Sequence, residues 1–236
     1  MFTLEALIII LSYLFGGIPT SYLVAKHKKN IDIRNYGSGN IGAANAITQI
    51  GKISGFSIGL FDCFIKGACV IFLCKFFGFS ITTQILSGLF TIIGHCWSPY
   101  IKFTGGRGVA TSVGVVIGFN LLPEIIILTL IMGILGWIIF KETSIWTAIS
   151  IPILIILNLL FNRPNEIIYL SLSIGLILII KRLTANWETF KHKQSMFKLI
   201  LNRAIWDRDI KNKEKWINRL PKWVTLVINT NQKLQI

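Results

Sequence analysis

Long apolar runs, separated by short polar stretches rich in Lys and Arg, are what most constrain the fold of this chain. A bilayer's hydrocarbon is about 30 Å thick, so a helix needs about 20 apolar residues to cross it. Runs near 3–25, 53–79, 81–99, 109–122, 124–140, 144–161 and 166–180 meet or approach that length. Charged residues make up 14% and hydrophobic residues 53% of the chain, whereas a soluble domain carries about 25% charge. The expectation is an all-α integral membrane protein with about seven transmembrane helices. The segments 109–122 and 166–180 are short enough to be re-entrant or interfacial instead, which leaves six or five spans open. No basic stretch precedes the first run, which carries Glu5 and lacks a clear small-residue cleavage site. It reads as a retained anchor rather than a cleaved signal.

The net charge of +14 is distributed as membrane topology requires. Lys26, Lys28, Lys29, Arg34 and Lys52 follow the first run, Lys102 and Arg107 the third, Lys141 the fifth, and a basic tail the seventh. The alternate loops offer only Arg163. Basic loops stay cytoplasmic, so the N-terminus is expected outside and the C-terminus inside. Thirteen of the 24 Lys and Arg lie after residue 180, where they suit anionic headgroups; no nucleic-acid-binding signature accompanies them. Residues 1–185 read as the membrane domain and 186–236 as a cytoplasmic tail. In that tail, Trp206, Trp216 and Trp223 alternate with basic residues, and Phe197, Leu201 and Ile205 fall at helical spacing. An interfacial helix fits that pattern. Cys63, Cys69, Cys74 and Cys96 lack paired spacing, so neither a metal nor a disulfide is expected.

Two glycine-rich segments interrupt the apolar sequence on the expected cytoplasmic side. The first runs Gly37-Ser38-Gly39-Asn40-Ile41-Gly42-Ala43-Ala44-Asn45. Glycines let successive amides converge on one anion, and Ser38, Asn40 and Asn45 add side-chain donors. The second includes Gly94-His95 and then Lys102-Phe103-Thr104-Gly105-Gly106-Arg107-Gly108, continuing to Thr111. Amides at a helix start beside Arg107 suit a phosphate. His95 is a candidate base, although a lone His at a helix end also serves as a structural donor. Asp62 and Lys66 stand four apart inside an apolar run, so they share a helix face and are expected to pair in support of the site.

These residues together resemble the acyl-phosphate glycerol-3-phosphate acyltransferases of bacterial phospholipid synthesis. The resemblance rests on 37–45, Gly94-His95 and Phe103–Thr111, with Lys52, Asp62, Lys66-Gly67 and Ser144 as further counterparts, over roughly residues 5–190. The chain departs from the family pattern at Ile41 (Pro), Ala44 (Thr), Thr48 (Arg), and Thr104 and Arg107 (Lys). In the third motif Arg182-Leu183 and Glu188 are recognisable, while Ile177 and Ile179 stand where a His and an Asn are usual. The resemblance implies transfer of a fatty acyl group from acyl phosphate to the 1-hydroxyl of glycerol 3-phosphate, giving lysophosphatidic acid. It implies no cofactor or metal, a bacterial plasma membrane and a cytoplasmic active face, and it names no protein partner. It puts Ser38, Asn40 and His95 in catalysis. Gly37, Gly39, Gly42, Asn45, Lys102, Thr104, Gly105, Gly106, Arg107, Gly108, Thr111, Ser144 and Arg182 would bind substrate. Asp62, Lys66 and Glu188 would support them. A catalytically silent homologue and a transporter of phosphorylated solutes are the competing classes. Transport sites lie at the membrane midplane, whereas the polar loops here gather on one face.

Overall fold

The computed structural model describes residues 2–185 and 196–218, and these contain helices and no strand. The membrane domain comprises α1 (Phe2–Gly16), α2 (Thr20–Lys29), α3 (Ala43–Gln49), α4 (Lys52–Leu60), α5 (Cys69–Phe76), α6 (Ile81–Cys96), α7 (Val109–Gly118), α8 (Leu122–Leu130), α9 (Thr143–Leu160) and α10 (Asn165–Thr184). The tail contributes α11 (Met196–Trp206) and α12 (Lys213–Ile217). Every apolar run contains helix. The units Thr3–Lys29, Lys52–Phe76, Thr143–Leu160 and Asn165–Thr184 are long and apolar enough to cross a membrane. The remaining apolar helices are shorter: 16 residues in α6 and 10 in α7.

Local sequence sets the breaks. The run expected over 3–25 is interrupted at 17–19, where Pro19 has no N–H for a continuous ladder. Between α4 and α5 the chain stays helical but widens into a π-helical stretch, Phe61–Ala68, which holds Asp62 and Lys66. Such bulges recur at functional sites.

Small residues decide which helices meet. A methyl group on Gly94 would collide with the Tyr13 carbonyl, and one on Gly16 with the Thr91 backbone, so α1 and α6 pack backbone to backbone. Gly67 and Gly114 likewise seat the π-helical stretch against α7. Close approach through small residues is how helices associate in lipid, where apolar burial alone gives no drive. Around these contacts Ile71, Leu89, Ile92, Val115, Leu170 and Ile174 form a buried core. Phe56, Phe76, Ile126, Ile138, Leu160 and Leu176 stay exposed, an apolar exterior that hydrocarbon would cover.

The basic loops gather at one end. Arg34 Nη1 donates to Ile101 O, linking the loop after α2 to the loop after α6. Arg107 reaches Asp207 in the tail, and Arg208 pairs with Glu142 before α9. Elsewhere, Glu124 at the start of α8 is fully buried against Arg163, which precedes α10. The hydrogen bonds that the Arg163 guanidinium donates to that carboxylate hold it above its ordinary pKa.

Candidate active site

The first glycine loop is organised from inside by Asn45. Its Nδ2 lies 3.3, 3.1 and 3.0 Å from the carbonyls of Ile33, Tyr36 and Asn40, and its Oδ1 accepts the Ser38 N–H at 3.1 Å. Asn45 is 4% exposed. Its amide hydrogens point at the loop's own backbone. Ser38 Oγ accepts the Asn40 N–H at 3.3 Å, a local turn that leaves the hydroxyl hydrogen available. Outside the glycines, Arg34 binds Asp32 through Nε and Nη2. Burial raises the Asp32 pKa, but the hydrogen bonds and charge of Arg34 outweigh it and hold the carboxyl below its ordinary range.

The second loop folds back on the end of α6. Gly106 N donates to His95 O at 3.0 Å, and a methyl group at Gly106 would collide with the His95 ring. Only glycine lets this backbone lie against the imidazole. Gly105 is buried as closely against the carbonyls of His95 and Cys96.

The two loops meet. Ile41 N donates to Gly105 O at 3.4 Å, and Gly42 lies over the Gly106 Cα. Ile41 is the position where the resembled family carries Pro, which has no N–H to offer. The departure therefore adds a long inter-loop bond while Ile41 packs into a second apolar cluster with Ile33, Ala46 and Ile101.

Behind the loops lies a buried polar network. Asp62 Oδ1 accepts from Thr20 Oγ1 at 2.9 Å and pairs with Lys66 Nζ at 2.8 Å. Lys66 Nζ also donates to Ile18 O at 2.6 Å and Thr20 Oγ1 at 3.2 Å. His95 Nδ1 stands 3.8 Å from the same Asp62 oxygen. Asp62 and Lys66 are each 1% exposed, so the expected pair exists and is fully dry. The break at Gly17–Pro19 frees the Ile18 carbonyl to complete it. A cavity of about 180 Å³ joins the parts, lined by Thr20, Ile41, Lys66, His95, Gly105 and Gly106. A larger, mainly apolar cavity of about 630 Å³ lies between α7, α8, α9 and α10, lined by Val109, Val113, Leu128, Met132, Ile151 and Leu154 among others. Val109, the residue after Gly108, is part of its lining.

Other expected residues stand in different surroundings. Lys102 is exposed, in the left-handed conformation, and Thr104 Oγ1 donates to Ile101 O. Thr111 is buried against the π-helical stretch, its carbonyl beside Gly67. Arg182 Nη1 donates to Ser144 O, and its Nε and Nη2 donate to Arg203 O and Ile205 O. Arg182 and Ser144 thus sit in the junction that holds the tail. Arg107 Nη1 donates to Lys181 O at 3.0 Å, and its Nε lies 3.1 Å from Asp207 Oδ1. Of the residues where the family pattern has polar groups, Ile177 packs on the core and Ile179 is exposed. Glu188 and Trp223 lie outside the described residues. Sequence reasoning missed Thr20, Ser98 (whose hydroxyl donates to Gly17 O), Lys181 and Asp207. Only Lys181, a cation closing an apolar run, carried a visible signal.

Comparison with known proteins agrees with this geometry. A family model described as "Glycerol-3-phosphate acyltransferase" matches residues 6–200. "Glycerol-3-phosphate acyltransferase 5" of Dehalococcoides mccartyi is 37% identical over 89% of this chain and 91% of its own length. Crystal structures of PlsY (YgiH), an integral membrane glycerol 3-phosphate acyltransferase, superpose as well. The glycerol 3-phosphate form has a TM-score of 0.67 at 28% identity, covering 83% of this chain and 98% of that one. The lysophosphatidic acid form has a TM-score of 0.66 at 27% identity, covering 84% and 98%. With the motifs, the helical fold and the polar cavity already in place, these matches establish that the chain belongs to the glycerol-3-phosphate acyltransferase family.

Proposed function

We propose that this protein transfers a fatty acyl group from acyl phosphate to the 1-hydroxyl of glycerol 3-phosphate, releasing inorganic phosphate and lysophosphatidic acid. The observation that carries this reading is the union of two glycine loops around one polar cavity holding His95 and Lys66. An acyl phosphate is a mixed anhydride with a good leaving group, so the enzyme needs no covalent nucleophile. It needs two anions held close together, an oriented hydroxyl, and donors for the oxyanion of the tetrahedral intermediate.

In this reading the Ser38 and Asn40 loop and the 105–108 loop each receive a phosphate. Gly37, Gly39 and Gly42 on one side, and Gly105, Gly106 and Gly108 on the other, let the backbone approach it closely. Lys102 and Arg107 supply further donors at the rim, Thr104 shapes the loop that carries them, and Thr111, Ser144 and Arg182 support them. Asp62 beside Nδ1 favours the His95 tautomer whose Nε2 accepts a proton, so His95 takes the proton of the attacking hydroxyl. The apolar cavity lined by Val109 suits the acyl chain. No cofactor or metal takes part.

We place the loops at the cytoplasmic face of a plasma membrane with seven spans, N-terminus out and C-terminus in. Support comes from the basic loops meeting at one end. On the tail, α11 exposes Phe197, Ile200, Leu201 and Ile205 and buries Leu199, Asn202 and Arg203, which supports an interfacial position.

Membranes of cells expressing this chain, given acyl phosphate and radiolabelled glycerol 3-phosphate, test the reading. Labelled lysophosphatidic acid is the expected product. Label accumulating unmodified inside sealed vesicles would instead support transport.

A further inference from the structure

The tail delivers a carboxylate to the cation of the second glycine loop. Among the contacts of Arg107, Nη1 donates to Lys181 O at 3.0 Å, Nη2 donates to Asp207 O at 3.3 Å, and Nε lies 3.1 Å from Asp207 Oδ1. Asp207 is fixed in turn. It ends α11 in the left-handed conformation, φ 54°, with its N–H donating to Arg203 O. Arg182 grips Arg203 O and Ile205 O, and Arg203 Nη1 grips Leu183 O, so α11 presents Asp207 on a braced backbone. The family model ends at residue 200, so this carboxylate lies outside the part of the chain that the model matches.

A carboxylate beside a guanidinium offsets part of the field that would draw a phosphate to it. The two carbonyl contacts orient Arg107 without changing its charge; the Asp207 carboxylate changes the charge. We propose that Asp207 is a positioning residue that acts through Arg107 as a built-in counter-ion, lowering the site's affinity for the substrate phosphate. This rests on the assignment of Arg107 to phosphate binding. Burial pushes the Asp207 carboxyl above its ordinary range, against the pull of Arg107, Arg182 and Arg208. Asp207→Asn removes the charge and keeps both carbonyl contacts, and Asn tolerates the left-handed backbone.

The test compares purified full-length wild type with Asp207→Asn. Inorganic phosphate is titrated against thermal unfolding, and KM and kcat are measured for acyl phosphate and glycerol 3-phosphate. The apparent Kd for phosphate should fall roughly 2- to 5-fold, as for one partly screened charge pair. The KM of at least one substrate should fall with it, while kcat stays within about twofold. In an Arg107→Gln background Asp207→Asn should give no gain. Unchanged or weaker phosphate binding, or the same gain without Arg107, overturns the proposal. If Asp207→Asn does not fold, Asp207→Gly, which suits the same backbone, carries the same expectations. Phosphate binding is read without turnover, so wild type that binds phosphate yet makes no product would sink the proposed reaction and leave this inference testable.

Discussion

Asn45 shows how much a single amide decides here. It gathers three carbonyls and one N–H of the first glycine loop, in a protein whose loop glycines have no side chains to do so. Asn45→Ala leaves those groups without their partner, at a cost of about 1–3 kcal/mol. For a chain of this size that corresponds to a fall in Tm of roughly 3–10 °C, and scanning calorimetry or a thiol-dye melt checks it. His95 carries the opposite expectation. His95→Asn should leave the melt nearly unchanged and lower kcat by about 10²–10⁴, the usual loss for a positioned base. A loss under threefold would assign the proton to a substrate phosphate. The glycine loops, His95 and the Asp62–Lys66 pair were legible in the sequence, because irregular backbone and buried charge are conspicuous in an apolar chain. The role of Asn45 was not, since an amide's partners depend on how its loop closes. Thr20 gave no signal either, because a hydroxyl at the start of a helix usually reads as a cap.

Among the elements, the tail departs furthest from what sequence alone suggested. The pattern of Phe197, Leu201 and Ile205 pointed to an amphipathic helix, and α11 has one apolar exposed face as expected. Its other face is not a loose polar surface: Arg182, Arg203 and Arg208 bind it to Ser144, Leu183 and Glu142. Contacts between residues so far apart leave no local pattern, so arginines read as headgroup ligands became staples. Arg182→Ala removes donors to three carbonyls at the junction of α9, α10 and α11. It should cost about 1–3 kcal/mol and speed hydrogen exchange in α11 above all. Arg182→Lys should recover little, because an ammonium cannot span the fork. Equal exchange in wild type and Arg182→Ala would show that the tail is held by other contacts. The break between α1 and α2 was also hidden, since the hydropathy of 3–25 is continuous; Pro19 was its only visible cause.

At the scale of the whole molecule, alternating basic loops and the meeting of those loops at one end tell the same story. Hydropathy could mark the apolar runs because a bilayer imposes length and composition together. It could not say that α7 is only 10 residues long, which follows from the chain turning after Gly118, where Asn120 takes a positive φ. The proposed chemistry is concentrated where α2, the π-helical stretch and α6 converge, and the apolar cavity lies apart, between α7, α8, α9 and α10. The central claim is that this arrangement moves an acyl group from phosphate to glycerol 3-phosphate. Its most direct test is mass-spectrometric detection of lysophosphatidic acid formed by the purified protein from a synthetic acyl phosphate and isotopically labelled glycerol 3-phosphate, with acyl-CoA as the alternative donor. The account predicts labelled product from acyl phosphate, in step with phosphate release, and none from acyl-CoA. Folded protein that makes no product from acyl phosphate, at any chain length or pH tried, would contradict it.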